Sequence, residues 1–391
     1  MTQAELPTTD GELAVRNLEA SLQGAEGLFA ANPADAASSG RLITYLCARG
    51  QYLGRIADYE RAQRLAEQVV KAAPQDAWSY VLRAQTRSIF HDFEGAQADL
   101  DQAVKLRGGN RELRLIVEQR RISILTALGK LDEALAQSRK LAQANPDLTN
   151  LGAEANLLAS QGDTAQAEAL FIEAQKHFPD VSPFPVAWLY FQEGLMWESA
   201  GDLQRAHELY AAAHERLPAY APAVAHLATV EAAQAQREHA IALLRTLVNA
   251  ADDPEYSGQL AALLADSGQS AQAEPLRASA RTRYQELLAR YPRAFASHAA
   301  RFYLSAGGEG DLQAAAQWAE RNLKERPTPE AYSLAVEVLA KTGPKERACA
   351  LADEMEKLPY KTSRMHVMAA RAFLSCGERE RADALLSIAG K

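Results

Sequence analysis

The sequence predicts an all-α chain of about ten stacked helix–turn–helix hairpins, and three marks recurring in phase predict it. An alanine falls once per unit, at Ala62, Ala96, Ala134, Ala167, Ala206, Ala240, Ala273, Ala315, Ala348 and Ala382, with spacings of 34, 38, 33, 39, 34, 33, 42, 33 and 34 residues. Seven units carry glycine five residues before that alanine: Gly129, Gly162, Gly201, Gly268, Gly310, Gly343 and Gly377. Five carry proline twelve residues after it: Pro74, Pro146, Pro179, Pro218 and Pro327. A period of roughly 20–50 residues marks an array of supersecondary units, each too small to bury both faces alone. Composition agrees. Alanine supplies 79 of the 391 residues and aromatics only 7%, which suits closely packed helices and not strands.

Along the chain, residues 1–10 read as a disordered N-terminus; Met1–Val15 has no basic residue and no apolar run, so it does not read as a secretory signal. Residues 11–37 read as a capping helix or half-unit, and residues 38–391 as the repeat array. Within a unit, apolar residues before the glycine recur at helical spacing, as in Leu151, Ala155 and Leu158. A second helical pattern follows, as in Ala167, Leu170, Phe171 and Ala174. The glycine closes the first helix because a left-handed residue caps its carbonyls without a Cβ clash. The alanine marks the closest approach of the two helices, and the proline stops the second.

Two spacings depart from the period. The spacing of 39 holds an insert after Pro179, Asp180-Val181-Ser182-Pro183-Phe184-Pro185, and the next helix opens with Trp188, Tyr190 and Phe191 and adds Trp197. The spacing of 42 delays the closing proline to Pro292 and extends a second helix by about two turns. That stretch is rich in arginine, including Arg277, Arg281, Arg283 and Arg290. It is either a docking patch for a carboxylate-rich partner or a solvated, locally paired face.

The unit Tyr190–Pro218, with Tyr190, Gly194 and Trp197 in its first helix and Gly201-Asp202-Leu203, Ala206, Tyr210, Ala213 and Pro218 after it, resembles the tetratricopeptide repeat family. The resemblance covers nearly the whole chain, although Ser257 and Ala299 stand where the family has a large aromatic. It implies a right-handed superhelical solenoid and a protein- or peptide-binding scaffold. In the family's geometry Tyr190 and Trp197 fall at packing positions, whereas Trp188 and Phe191 fall on the concave surface. Those two rings are either binding groups or extra packing under the proline loop. The binding reading groups Trp188, Phe191 and Gln192 with Asn156 and His226 at concave places of the flanking units. The chaperone-binding carboxylate clamp of the family is not matched: the equivalent pairs are Cys47/Gln51, Val81/Gln85, Gln119/Ser123 and Gly152/Asn156.

Charge and motifs narrow the function. A net charge of −8 argues against nucleic acid as the primary partner. The charge-free stretch Leu217–Val230 is too short for a membrane span and holds two prolines. Gly307-Gly308-Glu309-Gly310 lacks the lysine and hydroxyl of a phosphate loop. No sequence pattern gathers a nucleophile, base and acid, and the scattered histidines suggest no metal site, so no enzyme activity and no cofactor are expected. Cys47, Cys349 and Cys376 read as buried thiols, and a reducing cytoplasm is the expected compartment, the periplasm or the exterior being the alternative if a leader has been removed. Two other readings stay open: a regulatory sensor of a small peptide, signalling through a separate partner, and an α/α enzyme.

Overall fold

The computed structural model describes residues 6–33, 35–107, 109–343 and 345–389. They form twenty-one α-helices, with no strand among the described residues. Helix α1 (Gly11–Ala31) precedes ten hairpins. The first five are α2 (Ala36–Leu53) with α3 (Ile56–Ala72), α4 (Ala77–Ile89) with α5 (Phe93–Arg107), α6 (Arg111–Ala127) with α7 (Leu131–Ala144), α8 (Leu148–Gln161) with α9 (Thr164–Lys176), and α10 (Pro183–Ala200) with α11 (Leu203–Arg216). The second five are α12 (Ala221–Ala233) with α13 (Arg237–Ala250), α14 (Pro254–Asp266) with α15 (Ser270–Arg290), α16 (Pro292–Ala306) with α17 (Glu309–Glu325), α18 (Pro329–Thr342) with α19 (Lys345–Glu356), and α20 (Ser363–Ser375) with α21 (Arg379–Ala389).

The periodic alanines do what their spacing implies. All ten are 0% exposed, each on the second helix of its hairpin. A methyl group is the largest side chain that lets the two backbones approach this closely, and a longer one overpacks the contact. At the glycine position the chain turns left-handed in Gly129, Gly162, Gly201, Gly268 and Gly377, with φ between 73° and 91°. Two units without glycine there keep the conformation, through His91 (φ 58°) and Ala235 (φ 66°). Gly310 and Gly343 do not take it: Gly310 lies inside α17, where Gly307 has already closed α16, and Gly343 is extended.

Helix starts carry a signal separate from the three repeat marks. Seven of the ten first helices are capped by a side chain, from Asp35, Asp76, Asn110, Asp147, Asp253, Thr328 and Thr362. The other three, α10, α12 and α16, begin with proline in the first turn. Both devices deal with backbone N–H groups that have no partner inside the helix. The lengthened spacing of 42 appears as α15, at 21 residues the longest of the second helices.

The superhelix closes on itself at a fixed step. The turn of the first hairpin meets the loop before the seventh: Gly54 O accepts from Asp252 N at 3.2 Å, and the Asp252 carboxylate accepts from Ile56 N and Ala57 N at 2.5 and 2.9 Å. Helix α3, which has no side-chain cap of its own, is thus capped by a residue six hairpins away. The second turn meets the first turn of α16, which opens the eighth hairpin, through His91 Nδ1 and Arg293 O (3.0 Å). The third meets the loop before the ninth through Arg326 Nε donating to Ala127 O (2.9 Å), and the fourth the loop before the tenth through Lys361 N and Gln161 O (3.4 Å). At Gly162 a left-handed backbone and the Lys361 carbonyl both exclude a side chain.

The N-terminal segment obeys the same step. The start of α1 at Gly11 packs on Arg216 and Pro218, immediately before the sixth hairpin, so α1 stands where the second helix of a preceding hairpin would. The expected disorder of residues 1–10 is corrected for its second half. Thr9 N donates to Val181 O at 2.7 Å, and the Arg216 guanidinium donates to Leu6 O and Thr8 Oγ1. Residues 1–5 lie outside the described residues. The segment also half-buries Ala212, a position on α11 that the helical phase alone would leave facing outward.

A second correction concerns the cysteines. Cys349 on α19 and Cys376 at the end of α20 form a disulfide across 27 residues, with 6.7 Å between Cα atoms, and Cys47 remains a buried free thiol. The pairing depends on how hairpins nine and ten stack, which spacing alone does not reveal.

Candidate functional site

First helices line the inner face of the superhelix, and its closure brings those of distant hairpins together. Tyr52 at the end of α2 touches Phe184 at the start of α10, with ring centroids 4.6 Å apart, and Tyr220 just before α12 at 5.4 Å. Beside this contact lies a cavity of about 460 Å³, walled by Tyr52, Ile116, Arg120, Ser123, Pro185 and Trp188. Four helices contribute, α2, α6, α8 and α10, the third through Thr149. Gly152 on α8 makes room for the tryptophan, since a Cβ there would stand 3.0 Å from the Trp188 ring.

The five residues grouped by sequence do not act as one surface. Trp188 is half-buried and forms part of the cavity wall. Phe191 is 8% exposed and belongs to the core, at 5.4 Å from Tyr220, 5.3 Å from His226 and 5.8 Å from Tyr210. Of the two readings open for this pair, Phe191 follows the packing one, while Trp188 lines the cavity. Residues 188 and 191 are three apart on one helix and only about 60° apart around its axis, so they lie at the two edges of one face, Trp188 against the cavity and Phe191 against α11 and α12.

His226 is engaged internally: its Nδ1 lies 2.8 Å from Glu198 Oε2, which also accepts from Tyr210 Oη at 2.6 Å. Burial alone would raise the Glu198 carboxyl, but these hydrogen bonds outweigh it and hold the group down to about 2. Burial, then the same carboxylate, pushes the Tyr210 hydroxyl well above its ordinary range. Gln192 and Asn156 are half-buried and stand outside the cavity wall.

The arginine-rich stretch is engaged within the chain. Arg277 pairs with Glu274 (2.9 Å) and Arg281 with Asp311 (2.9 Å). Arg283 pairs with Glu286 and with Glu60 of α3, each at 3.2 Å, and Arg290 also reaches Glu60, at 2.6 Å. The last two bonds span adjacent superhelical turns, so the long α15 acts as a staple. Its arginines are not a free docking patch.

Arg120 has no signal of its own in the sequence, because α6 also carries Arg111, Arg114 and Arg121 and nothing in the spacing sets it apart from them. Its neighbour Arg121 pairs with Asp101 at 2.5 Å, whereas the buried Nε of Arg120 has no hydrogen-bond partner among the described residues. A separate cavity of about 590 Å³ lies between α9, α10 and α11, where Glu168, Glu193 and Glu208 surround Trp197 and the Arg205 stacked on it at 4.2 Å. Burial, then Glu168, pushes the Glu193 carboxyl up to about 7.

No helix among the described residues is long and apolar enough to cross a membrane. No protein-family model matches the chain, and no curated protein matches it. Among solved structures it is similar to a chain of Naa15/Naa10 bound to HypK-THB, at 16% identity and a TM-score of 0.31; the match covers 97% of this chain, which spans 62% of that one. It is also similar to a chain of the APC/C hetero-tetramer Cut9–Hcn1, at 12% identity and a TM-score of 0.42, covering 97% of this chain and 94% of that one.

Proposed function

We propose that the chain is a tetratricopeptide-repeat scaffold, non-catalytic, that binds a protein or peptide partner on the inner face of its superhelix. The observation that carries this reading is the half-buried Trp188 ring in the wall of a solvent-open cavity where four first helices converge. A rigid aromatic in a pocket is the kind of anchor on which binding energy concentrates, and superhelix curvature presents it on an extended concave surface. The test replaces Trp188 with a photo-crosslinking amino acid to capture the partner, then measures that partner's affinity for Trp188→Ala. Affinity should fall by about 2 kcal/mol or more with a smaller change in stability. Phe191→Ala, in the core, should instead cost roughly 3–5 kcal/mol of folding stability. Unchanged affinity in Trp188→Ala would sink the reading.

One observation favours the peptide-sensor variant of the same idea. The contact of Tyr52 with Phe184 crosses the lumen, so the inner face offers a bounded cavity and not a continuous channel. A short ligand suits that shape. The Cys349–Cys376 bond favours an oxidising compartment over the reducing cytoplasm expected from sequence.

A further inference from the structure

We propose that the lumen cavity is a carboxylate site, with Arg120 as the group that receives the ligand's charge and Trp188 and Tyr52 as the walls for its apolar part. The inference rests on the inner-face reading and names the chemistry of the occupant. The Arg120 Nε is buried without a partner, and Arg120 is one of the residues that line the cavity. Among the described residues no carboxylate pairs with it; its one charge neighbour of note is the Cys47 thiol. That thiol cannot neutralise it, because burial pushes Cys47 up to about 12. Arginine stays protonated even when buried, so an unpaired buried guanidinium is a standing cost that an arriving anion relieves.

The rest of the wall selects among anions. Gln51, Tyr52, Gln119, Ser123 and Thr149 are neutral hydrogen-bonding groups, and among the described residues of the lining no second cation accompanies Arg120. One guanidinium matches a single negative charge and presents a planar fork that fits a carboxylate in two parallel bonds. A phosphate dianion would need a second positive group. The Trp188 and Tyr52 rings, with Ile116 and Pro185, give the ligand an apolar bed, and about 460 Å³ holds a small organic acid or the end of a peptide.

Calorimetric titration of the full chain at low salt tests this with four probes: benzoylglycine, its amide, an acetylated alanylphenylalanine with a free C-terminus, and inorganic phosphate. At least one of the two acids should bind, and benzoylglycine should bind about tenfold or more tightly than its amide. The tighter acid tells whether a free small acid or a peptide end is the source of the carboxylate. Arg120→Met should remove the preference for acid over amide without lowering the melting temperature, since it removes an unpaired buried charge at similar volume. Arg120→Lys should keep part of the preference, and it serves if the methionine variant fails to fold. Equal binding of acid and amide, no binding of either acid, a preference that survives in Arg120→Met, or phosphate binding more tightly than both acids would each overturn the proposal. A partner captured at position 188 whose binding ignores these acids would leave the inner-face reading intact and remove this one.

Discussion

Alanine at the helix contact and a carboxyl in the wall of the α9–α11 cavity show how much single side chains decide in this chain. Ala167 and Ala165 are two residues apart on α9, yet Ala167 is 0% exposed and Ala165 faces solvent. Ala167→Leu should cost roughly 1–3 kcal/mol by overpacking, while Ala165→Leu should stay within about 0.5 kcal/mol. Equal losses in urea melts would refute the packing role of the periodic alanine. Glu193 makes a pH-dependent prediction. Its carboxyl titrates near 7 in the folded chain against an ordinary 4.5, so below about 4.5 it is protonated in both states and costs nothing. As pH rises from there through 7, the unfolded chain loses its proton first and stability falls, reaching a constant penalty above 7. Glu193→Gln should therefore raise stability by roughly 1–3 kcal/mol at pH 8 and change little at pH 4. A gain that is the same at both pH values would contradict the assignment.

At the scale of the helix and the hairpin, most of the architecture was legible because each repeated mark answers a local demand. Ala62 through Ala382 fix where two helices touch, and a left-handed residue fixes the turn in nine of the ten hairpins, even where His91 or Ala235 must supply it, the described part of the ninth turn being the extended Gly343. The delayed Pro292 announced the long α15. What spacing could not show is anything set by elements far apart in sequence. The Cys349–Cys376 bond depends on the stacking of two hairpins, the use of Arg283 and Arg290 depends on Glu60, and the burial of Phe191 depends on Tyr220. The place of Arg120 depends on α2, α8 and α10, which complete its cavity. The cap of α3 by Asp252 makes the dependence measurable. Asp252→Ala should cost about 1 kcal/mol, and amide exchange should quicken at Ile56 and Ala57, nearly 200 residues away. Faster exchange confined to the neighbourhood of residue 252 would show that α3 does not rely on it.

For the whole molecule, the six-hairpin step changes what kind of object the array is. An open solenoid couples only neighbouring repeats, so it unfolds from its ends and readily loses two-state behaviour. Here the turn of one hairpin also bears on the loop or helix start six hairpins later, at four successive places and again where Gly11 meets Pro218. These bonds tie the first superhelical turn to the second, and they close the lumen around Tyr52, Arg120 and Trp188 on which the binding proposals rest. Closure thus holds the two superhelical turns together, and an engineered cross-link probes it. With Gln161→Cys and Lys361→Cys, residues whose backbones meet at 3.4 Å, mild oxidation should join the two positions within one chain and give a faster-migrating species in denaturing electrophoresis. If the pair stays reduced, or links only between chains, the superhelix is open and the account of its lumen fails.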